Sequence, residues 1–92
     1  MADVVVKLKI MESSPDVDLG AVEEKVKKIV KEKAGDGAFK SEIEPIAFGL
    51  KALIVNFVMD ESLGGTDSIE EAISNLEGVE SVSVEDVRRT IG

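Results

Sequence analysis

A proline and a glycine four positions apart, Pro45 and Gly49, interrupt the stretch from Glu44 to Val55 between two strand-like runs. Pro45 has a fixed φ and no N–H to give a sheet, so it belongs on an edge strand or at a bulge. Gly49 permits a backbone angle or a close approach that a side chain would forbid. A long, twisted hairpin with an exposed tip meets both demands. Phe48 sits in that tip, where its ring could anchor a core. Because Pro45, Phe48 and Gly49 break regular pairing with no obvious core reason, we expect the tip to be part of a partner surface.

The elements around this hairpin follow from periodicity. Val4, Val6, Leu8 and Ile10 alternate with Val5, Lys7 and Lys9 as in a half-buried strand, which the loop from Glu12 to Asp16 should end. Asp18 is a good helix N-cap, with Val17 and Val22 placed for a hydrophobic staple. Leu19, Val22, Val26, Ile29 and Val30 then form one helical stripe, stopped by Gly35. Phe39, Ser41 and Ile43 alternate with Lys40, Glu42 and Glu44, and Leu50 to Met59 is apolar on both faces, as a central strand would be. Asp67 with Glu70 fits a capping box before a second stripe of Ile69, Ala72, Ile73 and Leu76, stopped by Gly78. Val82 and Val84 mark a last strand, and Arg88 and Arg89 should lie just past it. The order βαββαβ, with right-handed crossovers, predicts one ferredoxin-like α+β domain over residues 1–92: a four-stranded antiparallel sheet with two helices on one face.

Composition narrows the chemistry. Apolar residues at 43% and charged ones at 33% over 92 residues fit a globular domain. No apolar run approaches the ~20 residues that span a bilayer, and Met1-Ala2-Asp3-Val4 lacks the basic start of a signal peptide. With no cysteine, thiolate chemistry is excluded and a reducing cytoplasm is the expected compartment. Histidine is also absent, so imidazole catalysis is impossible. A net charge of −8 disfavours direct binding to nucleic acid. The charge is uneven: residues 21–40 hold six lysines against four acids, and the rest holds five basic residues against fifteen acids. The lysines fall mostly off the apolar stripe and read as a solvated helix face.

Motifs that could carry chemistry fail individually. Gly35-Asp36-Gly37-Ala38-Phe39-Lys40-Ser41 ends like a phosphate loop, but Phe39 replaces the glycine before the lysine and the segment runs from helix to strand. Gly64-Gly65-Thr66-Asp67 precedes a helix, where backbone N–H groups hold anions, but a capping Asp67 would already fill that role. Neither Asp16 with Asp18 nor Asp60 with Glu61 has calcium-loop spacing. An acylphosphatase would need an arginine in its first loop, and residues 11–20 contain none. Phe57 alone does not make an RNA-stacking sheet. No cofactor, metal or covalent chemistry is expected.

Three stretches resemble the archaeal elongation factor 1-beta family: Ile43 to Lys51, then Gly65-Thr66-Asp67 with Glu70-Glu71, and Val79-Glu80-Ser81-Val82. The resemblance spans the whole chain and implies the same ferredoxin-like fold. It also implies a function, release of GDP from elongation factor 1-alpha so that GTP can bind. In eukaryotic relatives a lysine next to the C-terminus reaches the magnesium and phosphate region of the GTPase. This chain ends Arg88-Arg89-Thr90-Ile91-Gly92, so Arg89, or alternatively Arg88, is the nearest cationic substitute. The resemblance therefore implies a partner surface of Pro45, Phe48, Gly49, Lys51, Arg88 and Arg89 on a factor that is monomeric when free. On fold grounds alone the alternative is a small-ligand regulatory module acting as a homodimer.

Overall fold

β-branched residues fill the middle of the sheet in the computed structural model, which describes residues 3–35, 37–60 and 66–89. Strands β1 (Asp3–Glu12) and β3 (Lys51–Asp60) pair antiparallel at the centre. Strand β2 (Phe39–Pro45) lies beyond β3 and β4 (Val79–Arg89) beyond β1, giving the order β2-β3-β1-β4. With α1 (Leu19–Ala34) and α2 (Asp67–Ser74), the chain runs βαββαβ, the expected ferredoxin-like arrangement. Val6, Leu8 and Ile10 of β1 and Leu53, Val55, Phe57 and Met59 of β3 share one core with Leu19, Val22, Val26 and Val30 of α1 and Ile69 and Ile73 of α2. Each large apolar side chain buried there contributes about 1.5–3 kcal/mol. Ala52 and Ile54 point to the opposite face, yet they are buried too. That is the two-sided burial expected of a central strand.

Helix α1 follows its sequence signals closely. The Asp18 carboxylate accepts from the N–H of Gly20 at 3.0 Å and of Ala21 at 3.4 Å, and Gly35 ends the helix at φ 95°. Ser41 Oγ donates to the Glu23 carboxylate at 2.6 Å, fixing β2 beneath α1.

Helix α2 departs from expectation at both ends. Thr66, not Asp67, is the cap, and its hydroxyl donates to the Glu70 carboxylate at 2.7 Å without capping a backbone N–H. Asp67 and Glu70 lie in the first turn, where their charges favour the positive end of the helix. The helix stops at Ser74, so Leu76 reaches the core from the turn beyond. Gly64 and Gly65 lie outside the described residues. At Gly78 (φ 93°) a Cβ would stand 2.9 Å from Val17 Cγ1, so only glycine lets this turn pack against the β1–α1 loop. Ser13 N–H donates to Gly78 O there at 2.9 Å.

Two further corrections concern strand ends. Glu12 closes β1 as a buried residue and does not open the loop. Arg88 and Arg89 do not follow the last strand but belong to it, paired with Val5 and Val4. The reason is a bulge: Lys7 pairs with Asp86 and Leu8 with Val84, leaving Glu85 as an extra residue. The bulge resets the alternation, so Val87 stands on the same face as Val82 and Val84, and pairing continues to Arg89.

Candidate functional site

The hairpin tip is built against its residues' own preferences. Leu50 N–H donates to Ala47 O at 2.9 Å, and Ile46 N–H donates to Leu50 O at 2.9 Å. Between them Phe48 has φ 55° and Gly49 φ 79°. Positive φ at both central residues is the pattern of a type I′ turn, which favours Asn-Gly and twists with its strands. A non-glycine residue in the left-handed region costs about 1–2 kcal/mol. Phe48 bears that cost while 96% exposed, so it is no core anchor. Ile43 (49% exposed) and Ile46 (39% exposed) extend apolar surface along the same hairpin.

Pro45 is accommodated by the register. Antiparallel pairs alternate between bonded and non-bonded. Since Ile46 bonds to Leu50, the adjoining pair Pro45↔Lys51 is a non-bonded one. The proline nitrogen then faces away from β3, on the outer side of an edge strand, where no N–H is required. By the same alternation the Lys51 N–H faces β1, and it donates to the Glu12 carboxylate at 2.5 Å. A Cβ on Gly49 would lie 3.9 Å from Pro15 Cβ, so the β1–α1 loop stands beside the tip.

The expected site residues do not form one patch. Pro45, Phe48, Gly49 and Lys51 gather at the end of the sheet where Met11 pairs with Ala52. Arg88 and Arg89 sit at the other end, opposite Val5 and Val4. From Val4 to Met11 along β1 is about 24 Å at ~3.4 Å per residue, over half the 42 Å length of the molecule. The two arginines also face opposite ways. Arg89 shares the helix-covered face with its partner Val4, and Arg88 shares the open face with Val5. Arg88 Nε donates to Asp86 Oδ2 at 2.6 Å, with Arg88 itself 81% exposed.

Elsewhere, an open hollow of about 300 Å³ lies among Glu24, Lys25, Lys27, Lys28 and Lys31 on α1. Another of about 180 Å³, lined by Val5, Ala38, Asn56 and Val58, lies on the open sheet face. Both are away from the hairpin tip. No helix among the described residues is long and apolar enough to cross a membrane. Sequence reasoning missed Glu12 and Pro15, both placed in a polar loop. No local pattern reveals that Glu12 is buried and bonded to a strand residue 39 positions away.

Residues 5–90 match the EF-1 guanine nucleotide exchange domain. The chain is 46% identical over 89 residues to an elongation factor 1-beta of Methanothermobacter thermautotrophicus, covering 97% of this chain and 98% of that protein. It is 48% identical over 90 residues to the elongation factor 1-beta of Methanosarcina barkeri, covering 97% and 99%. Among solved structures, the de novo designed protein Foldit4 superimposes with a TM-score of 0.65 at 20% identity, covering 98% of each chain. A BlrP1 BLUF structure gives 0.58 at 17% identity, covering all of this chain and 57% of that one. These structural likenesses speak to the fold alone. Extending over nearly the full length of both chains, the sequence matches show that this chain belongs to the elongation factor 1-beta family of guanine nucleotide exchange domains.

Proposed function

We propose that the chain promotes release of GDP from elongation factor 1-alpha by binding the GTPase with both ends of its sheet, without covalent chemistry. Family membership supports a nucleotide-exchange role in translation elongation. The observation that carries the contact is Phe48, an exposed aromatic held in a left-handed turn at the molecule's tip. Exposed aromatics of this kind anchor interfaces, because a rigid ring fills a pocket at little entropic cost.

Exchange requires the factor to prefer the nucleotide-free GTPase over the GDP-bound one, and the coupling is reciprocal. A thousandfold faster release corresponds to about 4 kcal/mol of barrier. In this reading Phe48, with Pro45, Gly49 and Lys51 shaping the tip, supplies affinity at one end. Arg89 or Arg88 supplies a cation at the other, competing with magnesium for the phosphate region. An arginine there is a planar fork and not a compact ammonium, so it pairs with phosphate oxygens more readily than it imitates a metal ion. The factor works as a monomer in the cytoplasm, on a protein partner, with no nucleic acid, membrane or cofactor of its own.

The test is release of labelled GDP from purified elongation factor 1-alpha, with and without the protein, at several magnesium concentrations. Faster release that weakens as magnesium rises is the expected result. An unchanged release rate at saturating protein would overturn the proposal.

A further inference from the structure

Glu12 is the one buried charged side chain among the described residues, at 3% exposure. Burying a carboxylate is costly unless hydrogen bonds compensate. The cost is compensated in part by one contact of known geometry, the bond from Lys51 N–H to Glu12 Oε1. Three observations locate what that bond does. Cα pairing of β1 with β3 runs as far as Met11↔Ala52. Beyond it β1 pairs only with β4, past a second register shift in which Met11 pairs with Ser81 but Glu12 with Val79, leaving Glu80 as the extra residue of β4. Lys51 is the first residue of β3 after the turn that carries Phe48, and its N–H faces β1. The Glu12 side chain therefore reaches across to the base of the hairpin at the point where Cα pairing of β1 with β3 has ended.

We infer that Glu12 is a positioning residue for the hairpin tip, acting through the Lys51 N–H to fix the direction in which Phe48 is presented to the partner. The inference rests on the exchange reading above for its functional part. Hydrogen bonds to a charged acceptor are the strong ones, roughly twice a neutral pair. This one sits at a leverage point. The strained turn has its own pair of backbone bonds, and even a Cβ added at Gly49 would come no closer to Pro15 than van der Waals distance. Tilting the hairpin base moves the tip as a unit without disturbing the core, whose buried residues begin at Ile10 and Leu53 on these strands.

The experiment compares Glu12→Ala and Glu12→Gln with the unaltered protein in two readouts. The first is amide hydrogen exchange followed by NMR. In Glu12→Ala the Lys51, Leu50 and Ile46 amides should exchange about tenfold faster or more, as expected for losing a bond to a charged acceptor. Amides of Leu8 and Val55 should keep their protection. Glu12→Gln retains an acceptor oxygen and should fall between. Unchanged tip amides, or equal loss of protection in tip and core, would overturn the inference.

The second readout is the factor concentration giving half-maximal GDP release. Glu12→Ala should raise it severalfold when Phe48 is present and leave it unaltered in a Phe48→Ala background, because residues acting through one contact are not additive. An equal effect in both backgrounds would overturn the inference. If Phe48→Ala alone has no effect, the tip contact of the proposed function fails, and the presentation of Phe48 to the partner fails with it. The amide readout would still decide separately whether Glu12 holds the hairpin.

Discussion

Phe48 combines an unfavourable backbone angle with an exposed ring, and each works against stability. Asparagine tolerates the left-handed region far better. Phe48→Asn should therefore stabilise the fold by about 0.5–1 kcal/mol, the increment typical of relieving such a site, while cutting stimulated GDP release severalfold. Urea unfolding and the release assay on one preparation check both halves. A mutant that is less stable by more than ~3 kcal/mol would instead mark Phe48 as a core residue. At the other end, the pair between Arg88 and Asp86 is exposed and contributes about 0–1 kcal/mol, as surface pairs do. Arg88→Ala should leave the midpoint of unfolding nearly unchanged. Because Arg88 and Arg89 face opposite sides of the sheet, the single alanine mutants also report which face turns toward the GTPase.

Helix α1 carries a cap and a stop that the sequence displays openly, and both operate as their chemistry requires. Asp18→Ala should cost about 1 kcal/mol, the usual loss of an N-cap, with exchange per folded molecule preserved. Its lysines lie off the buried stripe. Lys27→Gln with Lys31→Gln should alter GDP release by less than about twofold, since exposed charges contribute little, and a drop beyond tenfold would reveal a docking face on α1. The elements that were harder to read failed for local reasons. Thr66 and Asp67 are both competent caps, and only the backbone decides between them. The bulge at Glu85 breaks the two-residue period, so the strand's continuation through Val87 to Arg89 looks like a tail. The turn at Phe48-Gly49 lacks the Asn-Gly signature of its backbone pattern. The core faces, the central position of β3 and the edge position of β2 were legible because burial enforces period and proline forbids pairing. The side-chain reach of Glu12 was not, since it is not a periodic property, whereas the exposed tip that carries Phe48 was expected from Pro45 and Gly49.

At the scale of the whole molecule, the sheet extends about 24 Å from Val4 to Met11, with an apolar tip at one end and two arginines at the other. The residues expected to meet the partner, hairpin on one side and arginines on the other, lie at opposite ends of the antiparallel sheet. A factor of this shape must meet its partner at two separated points or use only one of its ends. Mutations so far apart with no shared contact should act independently, their free energies adding within about 0.5 kcal/mol. The decisive measurement is GDP release from elongation factor 1-alpha with four proteins: unaltered, Phe48→Ala, Arg88→Ala with Arg89→Ala, and all three changes together. Two-ended binding predicts that each alteration slows release and that the combined protein shows the product of the two losses. A combined protein as active as the unaltered one would contradict the account.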